Sequence, residues 1–206
     1  MSGHGVQPTE DELRPSMTEG YNPTAKKTID EYANLDANDE SLRKWKESLG
    51  ISANSPALVA APGDNRKVVV LELALEVAGR PDVVLNLEKQ SVQELKDKPF
   101  ILKEGSEYRM KVKFRIQHEV ISGLRYLHVV KRKGIKVDKA EEMIGSYGPN
   151  TQAQPFYEKK FAVEEAPSGL IARGSYDVRS KFADDDGNTF LEWQWGFKIA
   201  KGWDEK

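Results

Sequence analysis

The sequence predicts an all-β protein: an antiparallel β-sandwich preceded by a flexible, partly helical N-terminal arm. Three observations predict it. Apolar and polar residues alternate in stretch after stretch beyond residue 66. Clusters of Gly, Pro, Asn and Asp separate those stretches. Helix-period patterning is confined to residues before Gly50. A period of two places successive side chains on opposite faces of a strand, one wet and one dry. Sheets of that kind stack their dry faces together.

The elements follow in order. Residues 1–24 are rich in Gly, Pro, Thr and acids, bury too little apolar surface to offset chain entropy, and read as disordered. Thr28-Ile29-Asp30-Glu31 is a capping box that predicts a short helix carrying Ile29, Tyr32 and Ala33 and ending near Leu35. Asn38 is suited to cap a second helix, with Asp39 and Glu40 favoured at its positive end. Leu42, Trp45 and Leu49 then fall on one face, and Gly50 terminates it. Helices this short are marginal alone in water, so the apolar stripe needs a partner surface. Residues 51–66, with Pro56, Pro62, Gly63 and Asn65, read as a linker.

Strands follow. Leu71, Leu73, Leu75 and Val77 alternate with Glu72, Ala74 and Glu76, and Val83, Leu85 and Leu87 repeat the pattern. Tyr108, Met110, Val112, Phe114 and Ile116 alternate with four cations. Residues 124–130 form another strand, and residues 170–182 a long one interrupted at Gly174. Leu191, Trp193, Trp195, Phe197 and Ile199 share one face of the last. Turns are predicted at 103–105, 134, 148–149, 167–169 and 186–188.

Composition narrows the function classes. The 206 residues hold 31 basic and 33 acidic side chains, a net charge of −2, which argues against non-specific binding to nucleic acid. With no cysteine, the chain has no disulfide, thiolate nucleophile or Cys-ligated zinc. No secretory leader, lipidation box or run of the ~20 apolar residues that span a bilayer is evident, so a protein without stable membrane insertion is expected. His4, His118 and His128 are isolated, and no nucleotide-binding, dinucleotide or zinc-protease motif occurs. Asp184-Asp185-Asp186 lacks calcium-loop spacing and reads as a solvated turn, as does Lys131-Arg132-Lys133-Gly134. No cofactor, metal or catalytic residue is expected. A helical arm on a sandwich suggests a clamp for a protein partner.

Several runs in order carry a resemblance: LDANDESLRKWK (35–46), LKEGSEYRM (102–110), IGSYGP (144–149), VEEAP (163–167), ARGSY (172–176) and Trp193-Gln194-Trp195. With Phe182 and the acids at 184–186, they closely resemble the Rho GDP-dissociation inhibitor family, over almost everything after Tyr21. The resemblance implies a flexible regulatory arm (1–58) and an immunoglobulin-like prenyl-binding domain (59–206). It implies a cytosolic regulator that binds prenylated Rho-family GTPases in their GDP form, inhibits GDP dissociation and extracts them from membranes. Tyr21, Asp39, Ser41, Leu42, Asp184, Asp185 and Asp186 match GTPase contacts. Leu49, Leu75, Tyr108, Val178 and Trp195 match the pocket for the geranylgeranyl group, and Glu164 and Glu165 the patch facing the GTPase's basic tail. Lys131 departs from the family in replacing an aromatic near the pocket entrance, and Pro99 in replacing a regulatory serine; Ser175 matches another.

A twenty-carbon isoprenoid gains ~0.8 kcal/mol per buried CH₂, of order 10 kcal/mol in all, but a bilayer offers much the same. Extraction therefore needs contacts to the GTPase body as well. The alternative is a prenyl-binding carrier without nucleotide control, which would not need the arm.

Overall fold

Among the described residues, nine strands pair into two sheets that pack face to face as an immunoglobulin-like sandwich in the computed structural model. It describes residues 10–16, 20, 31, 39–48, 58–89, 94 and 99–204. The strands are β1 (Val68–Val77), β2 (Val83–Asn86), β3 (Phe100–Lys103), β4 (Glu107–Ile116) and β5 (Ile121–Arg132). They continue with β6 (Ile135–Tyr147), β7 (Tyr157–Glu165), β8 (Gly174–Ala183) and β9 (Thr189–Ala200). One sheet has the order β2-β1-β4-β7, the other β3-β9-β8-β5-β6. Neighbours are antiparallel except β3 and β9, which run parallel.

Alternation places the core. Leu73, Val112, Phe114, Leu124, Tyr126 and Phe182 are fully buried between the sheets. Tyr126 lies at its centre, with ring centroids 5.3 Å from Phe182, 5.5 Å from Phe161 and 6.2 Å from Trp193. Its hydroxyl and Ser180 Oγ are 2.9 Å apart, and Trp195 Nε1 donates to the same oxygen at 2.9 Å. One buried serine thus satisfies two buried aromatic polar groups, which would otherwise be costly.

Several expectations are corrected. The alternation in β1 does not begin at Leu71: a bulge between Val70 and Glu72 shifts the register, so Val68 and Val70 share the core with Leu73 and Leu75, while Leu71 does not. The predicted strand over 170–182 starts only at Gly174, and Leu170 and Ile171 are almost fully exposed in the preceding turn. Strands β3, β6 and β7 went unpredicted. The edge strand β6 is mostly exposed along its length, so its sequence carries no clean alternation.

The N-terminal region is also more ordered than predicted. Residues 10–13 form a 3₁₀ turn, and Leu13, 1% exposed, packs with Leu127, Val129 and Ala183 on the outer face of the five-stranded sheet. Glu12 pairs with Lys131 at 2.8 Å. The Ser16 hydroxyl donates to Glu141 Oε1 at 2.8 Å and accepts from Arg125 Nη1 at 3.0 Å. The helix α1 (Glu40–Ser48) is present, but Asp39 caps it: Asp39 Oδ1 accepts from the amides of Ser41 at 2.8 Å and Leu42 at 3.2 Å. Asn38, Tyr21, Leu49, Gly50 and the helix predicted to end near Leu35 (Glu31 apart) lie outside the described residues. Within the predicted linker, Leu58 is held to the domain by its amide, which donates to Asn150 O at 2.7 Å.

Candidate functional site

Near the β5–β6 hairpin the sheets do not meet. They enclose a mostly apolar cavity of about 330 Å³, within the ~300–1,000 Å³ range of small-molecule sites. Register explains its walls. Val130, Val178 and Trp195 lie side by side across β5, β8 and β9, and Tyr176 pairs with Phe197 in the next row. Opposite, Leu75 pairs with Met110, and Tyr108 lies two residues before Met110 on β4. Four of the five residues predicted for the pocket, Leu75, Tyr108, Val178 and Trp195, line this one cavity.

The two tryptophans separate here. Trp193 stacks on Phe182 with ring planes 8° apart, and belongs to the filled part of the core. Trp195 lines the cavity, its indole N–H fixed by Ser180 and its ring 5.5 Å from that of Phe100. An indole whose donor is already satisfied presents only apolar surface to a guest.

The mouth is charged on one side by Glu164 and Glu165, both exposed. The Tyr108 hydroxyl donates to Glu164 Oε2 at 2.7 Å, which ties wall to rim. Burial, then the adjacent carboxylate, push that phenol well above its ordinary value. The structure also brings in His128, which sequence reasoning left without a role. It lines the cavity, with Nε2 3.5 Å from Asp138 Oδ2 and Nδ1 buried without a hydrogen-bond partner. Burial holds its pKa below 6.5, against the pull of Asp138. Its place was signalled by alternation: Tyr126, His128, Val130 and Arg132 share the inner face of β5. Lys131, expected near the entrance, does not line the cavity and takes Glu12 instead.

The remaining predicted residues lie elsewhere. Asp39, Ser41 and Leu42 are exposed on and beside α1, and none lines the cavity. The turn at 184–186 is not a solvated cluster. Asp184 and Asp185 are 2% and 7% exposed. Asp184 accepts from the Asn188 amide and side chain, each at 2.8 Å, and closes the turn. Asp185 accepts from Arg125 Nη2 at 2.6 Å and Nε at 3.0 Å. Gly123 permits this: its φ is +62°, and a Cβ there would lie 2.0 Å from Asp185 Oδ2. Asp186 is half-buried at the end of the turn.

The comparisons with known proteins agree with this architecture. A family profile described as RHO protein GDP dissociation inhibitor matches residues 6–202. The Rho GDP-dissociation inhibitor of Saccharomyces cerevisiae is 50% identical over 184 residues, 88% of this chain and 90% of the relative. That of Schizosaccharomyces pombe is 48% identical over 179 residues, 86% and 84% of the two chains. Rho GDP-dissociation inhibitor 1 of Homo sapiens is 42% identical over 183 residues, 89% and 86%. The chain belongs to the Rho GDP-dissociation inhibitor family.

Proposed function

We propose that this protein binds prenylated Rho-family GTPases in their GDP form, with the cavity as the seat of the C-terminal geranylgeranyl group. The observation that carries this is the convergence of Leu75, Tyr108, Val178 and Trp195 on one apolar cavity with an acidic rim. The family's name is that of an inhibitor of GDP dissociation from Rho proteins, and this chain acts as a regulator of that kind.

The work divides between two parts, residues 1–58 and residues 59–206. The domain takes the lipid. Glu164 and Glu165 attract the basic segment that precedes it, offsetting the ~1 kcal/mol per charge which that segment loses on leaving anionic lipid. The arm, through Tyr21 and the α1 region, engages the GTPase switches and holds them in the GDP geometry. Both capping bonds of Asp39 end on Oδ1, so Oδ2 retains acceptor capacity for a switch hydroxyl. At the 184–186 turn, Asp184 and Asp185 shape the loop and Asp186 offers the contact. The resemblance assigns Leu49, on the arm, to the same lipid site. No helix among the described residues is long and apolar enough to cross a membrane, and the complex is carried in the cytosol.

The test is Trp195→Ala, titrated with prenylated and unprenylated forms of one Rho GTPase. The expected result is a much larger loss of affinity for the prenylated form. Equal losses for both would remove Trp195 from the lipid site.

A further inference from the structure

Beside the cavity mouth, the turn between β7 and β8 exposes its two largest apolar side chains. Leu170 is 82% exposed and Ile171 89%. Exposed leucines are ordinary, but this loop is firmly held by its backbone. Arg132 donates from Nη1 to Ile171 O, and from Nη2 to Arg173 O at 2.5 Å. The Tyr176 hydroxyl donates to Ala172 O at 2.6 Å. Glu104 accepts from the Gly169 amide at 2.8 Å and from Arg173 Nε at 2.9 Å. Arg173, then that amide, hold the Glu104 carboxyl down at about 2, so the clamp persists through mild acid. Gly174, with φ +130°, lets Arg132 approach; a Cβ there would lie 3.3 Å from Nη2.

The neighbouring hairpin continues the same surface. Arg132 pairs with Ile135, which is 71% exposed. Val137, exposed and two residues along, lines the cavity mouth. Lys133 and Lys136 flank Ile135 and are exposed. The mouth is therefore divided. Its β7 side is acidic at Glu164 and Glu165; its hairpin side is apolar with exposed lysines at the tip and one exposed carboxylate, Asp138, at the cavity itself.

We propose that the tip formed by Leu170, Ile171, Ile135, Lys133 and Lys136 docks on anionic bilayers, setting the cavity mouth against the lipid surface. Fixed apolar side chains beside basic ones match a headgroup layer over hydrocarbon. A rigid loop loses little further entropy on insertion. Docking there would pass a prenyl chain from bilayer to cavity without exposing it to water.

The full chain is tested alone, by co-sedimentation with phosphatidylcholine vesicles containing about 30% phosphatidylserine, and with pure phosphatidylcholine. Binding is expected to the anionic vesicles only. Lys133→Gln with Lys136→Gln should weaken it about fivefold per lysine. Leu170→Ser with Ile171→Ser should weaken it about tenfold or more, and slow removal of prenylated GTPase from vesicles while affinity for a soluble prenylated peptide stays unchanged. Trp195→Ala should bind vesicles like the parent, so this test stands apart from that of the cavity. The proposal is overturned if the parent does not bind anionic vesicles, or if the Leu170/Ile171 variant binds them undiminished. It is equally overturned if that variant instead loses affinity for unprenylated GTPase in solution, which would make the tip a protein contact.

Discussion

At one end of the sandwich Tyr126, Phe182, Trp193 and Phe161 fill the space between the sheets. A few residues along the same strands, at Val130, Val178 and Trp195, the sheets face each other across a cavity. Backbone pairing runs through both regions without interruption in β8 and β9. Side-chain supply makes the difference. At the filled end β5, β8 and β9 each contribute an aromatic ring and β7 adds Phe161. At the hollow end β5 and β8 place Val130 and Val178 in the row of Trp195, with His128 and Tyr176 to either side, and β7 turns from buried Phe161 to exposed Val163, Glu164 and Glu165. The lesson is that a pocket in a sandwich need not interrupt the sheets. It forms where one strand stops sending large side chains inward.

The strongest way to break this comparison is truncation at the filled end. Phe182→Ala should destabilise the fold by ~3–5 kcal/mol, as for a fully buried aromatic, while the fraction still folded keeps its prenyl affinity. Thermal and urea unfolding measure the first, titration with a prenylated peptide the second. A cost below that of Trp195→Ala would mean the two ends are not packed differently.

Enlargement sharpens it from the other side. Val112→Phe adds volume where no space exists and should cost about 1–3 kcal/mol. Val178→Phe adds the same volume beside the cavity, should cost less than about 1 kcal/mol, and should abolish prenyl binding by occupying the site. Similar stability losses in the two variants would show that the cavity collapses in solution.

A smaller effect separates the arm from both ends. Asp39→Ala removes the cap of α1, worth ~1 kcal/mol to that helix, and should leave the sandwich's unfolding midpoint unchanged while weakening GTPase binding. A fall in the midpoint with binding intact would make Asp39 a structural cap alone.

The smallest effect is one of pH, and belongs to the hollow end. His128 titrates below its ordinary 6.5 because burial disfavours the charged ring. The unfolded chain therefore binds the extra proton first, and stability falls as pH drops through 6.5 until the folded-state value is passed. Compared with His128→Gln, the parent should lose more thermal stability between about pH 7.5 and 5.5. Parallel curves for the two proteins would show that His128 is not the responsible group.

Much of the fold was legible because a strand with one buried face records it in its sequence. β4 and the tryptophan-bearing half of β9 are such strands. β6 escaped because it is an edge with little burial on either face, and the bulge at Leu71 escaped because an inserted residue leaves the composition of a strand unchanged. For the site, a period of two put Trp193 and Trp195 together and could not part them, since the cavity depends on what the opposite sheet omits. The resemblance singled out Trp195 and three companions. It did not disclose His128, or that Asp184 and Asp185 are buried, because the partner of Asp185, Arg125, lies far away in the chain. Burial of charge is a pairwise property that no single stretch of sequence states.

The contacts at Ser16 and Leu58 have a consequence in polymer terms. With Ser16 fastened to Glu141 and Arg125, and Leu58 to Asn150, α1 is carried on a segment closed at both ends. It is not borne on a tail with one free end. The number of residues between those two anchors sets an upper bound on how far α1 can lie from the domain. Under the proposed function, a GTPase seated by its lipid would meet α1 at a raised effective concentration. Removing residues through Ser16 opens the loop and dilutes α1, without touching a residue of the helix or the cavity.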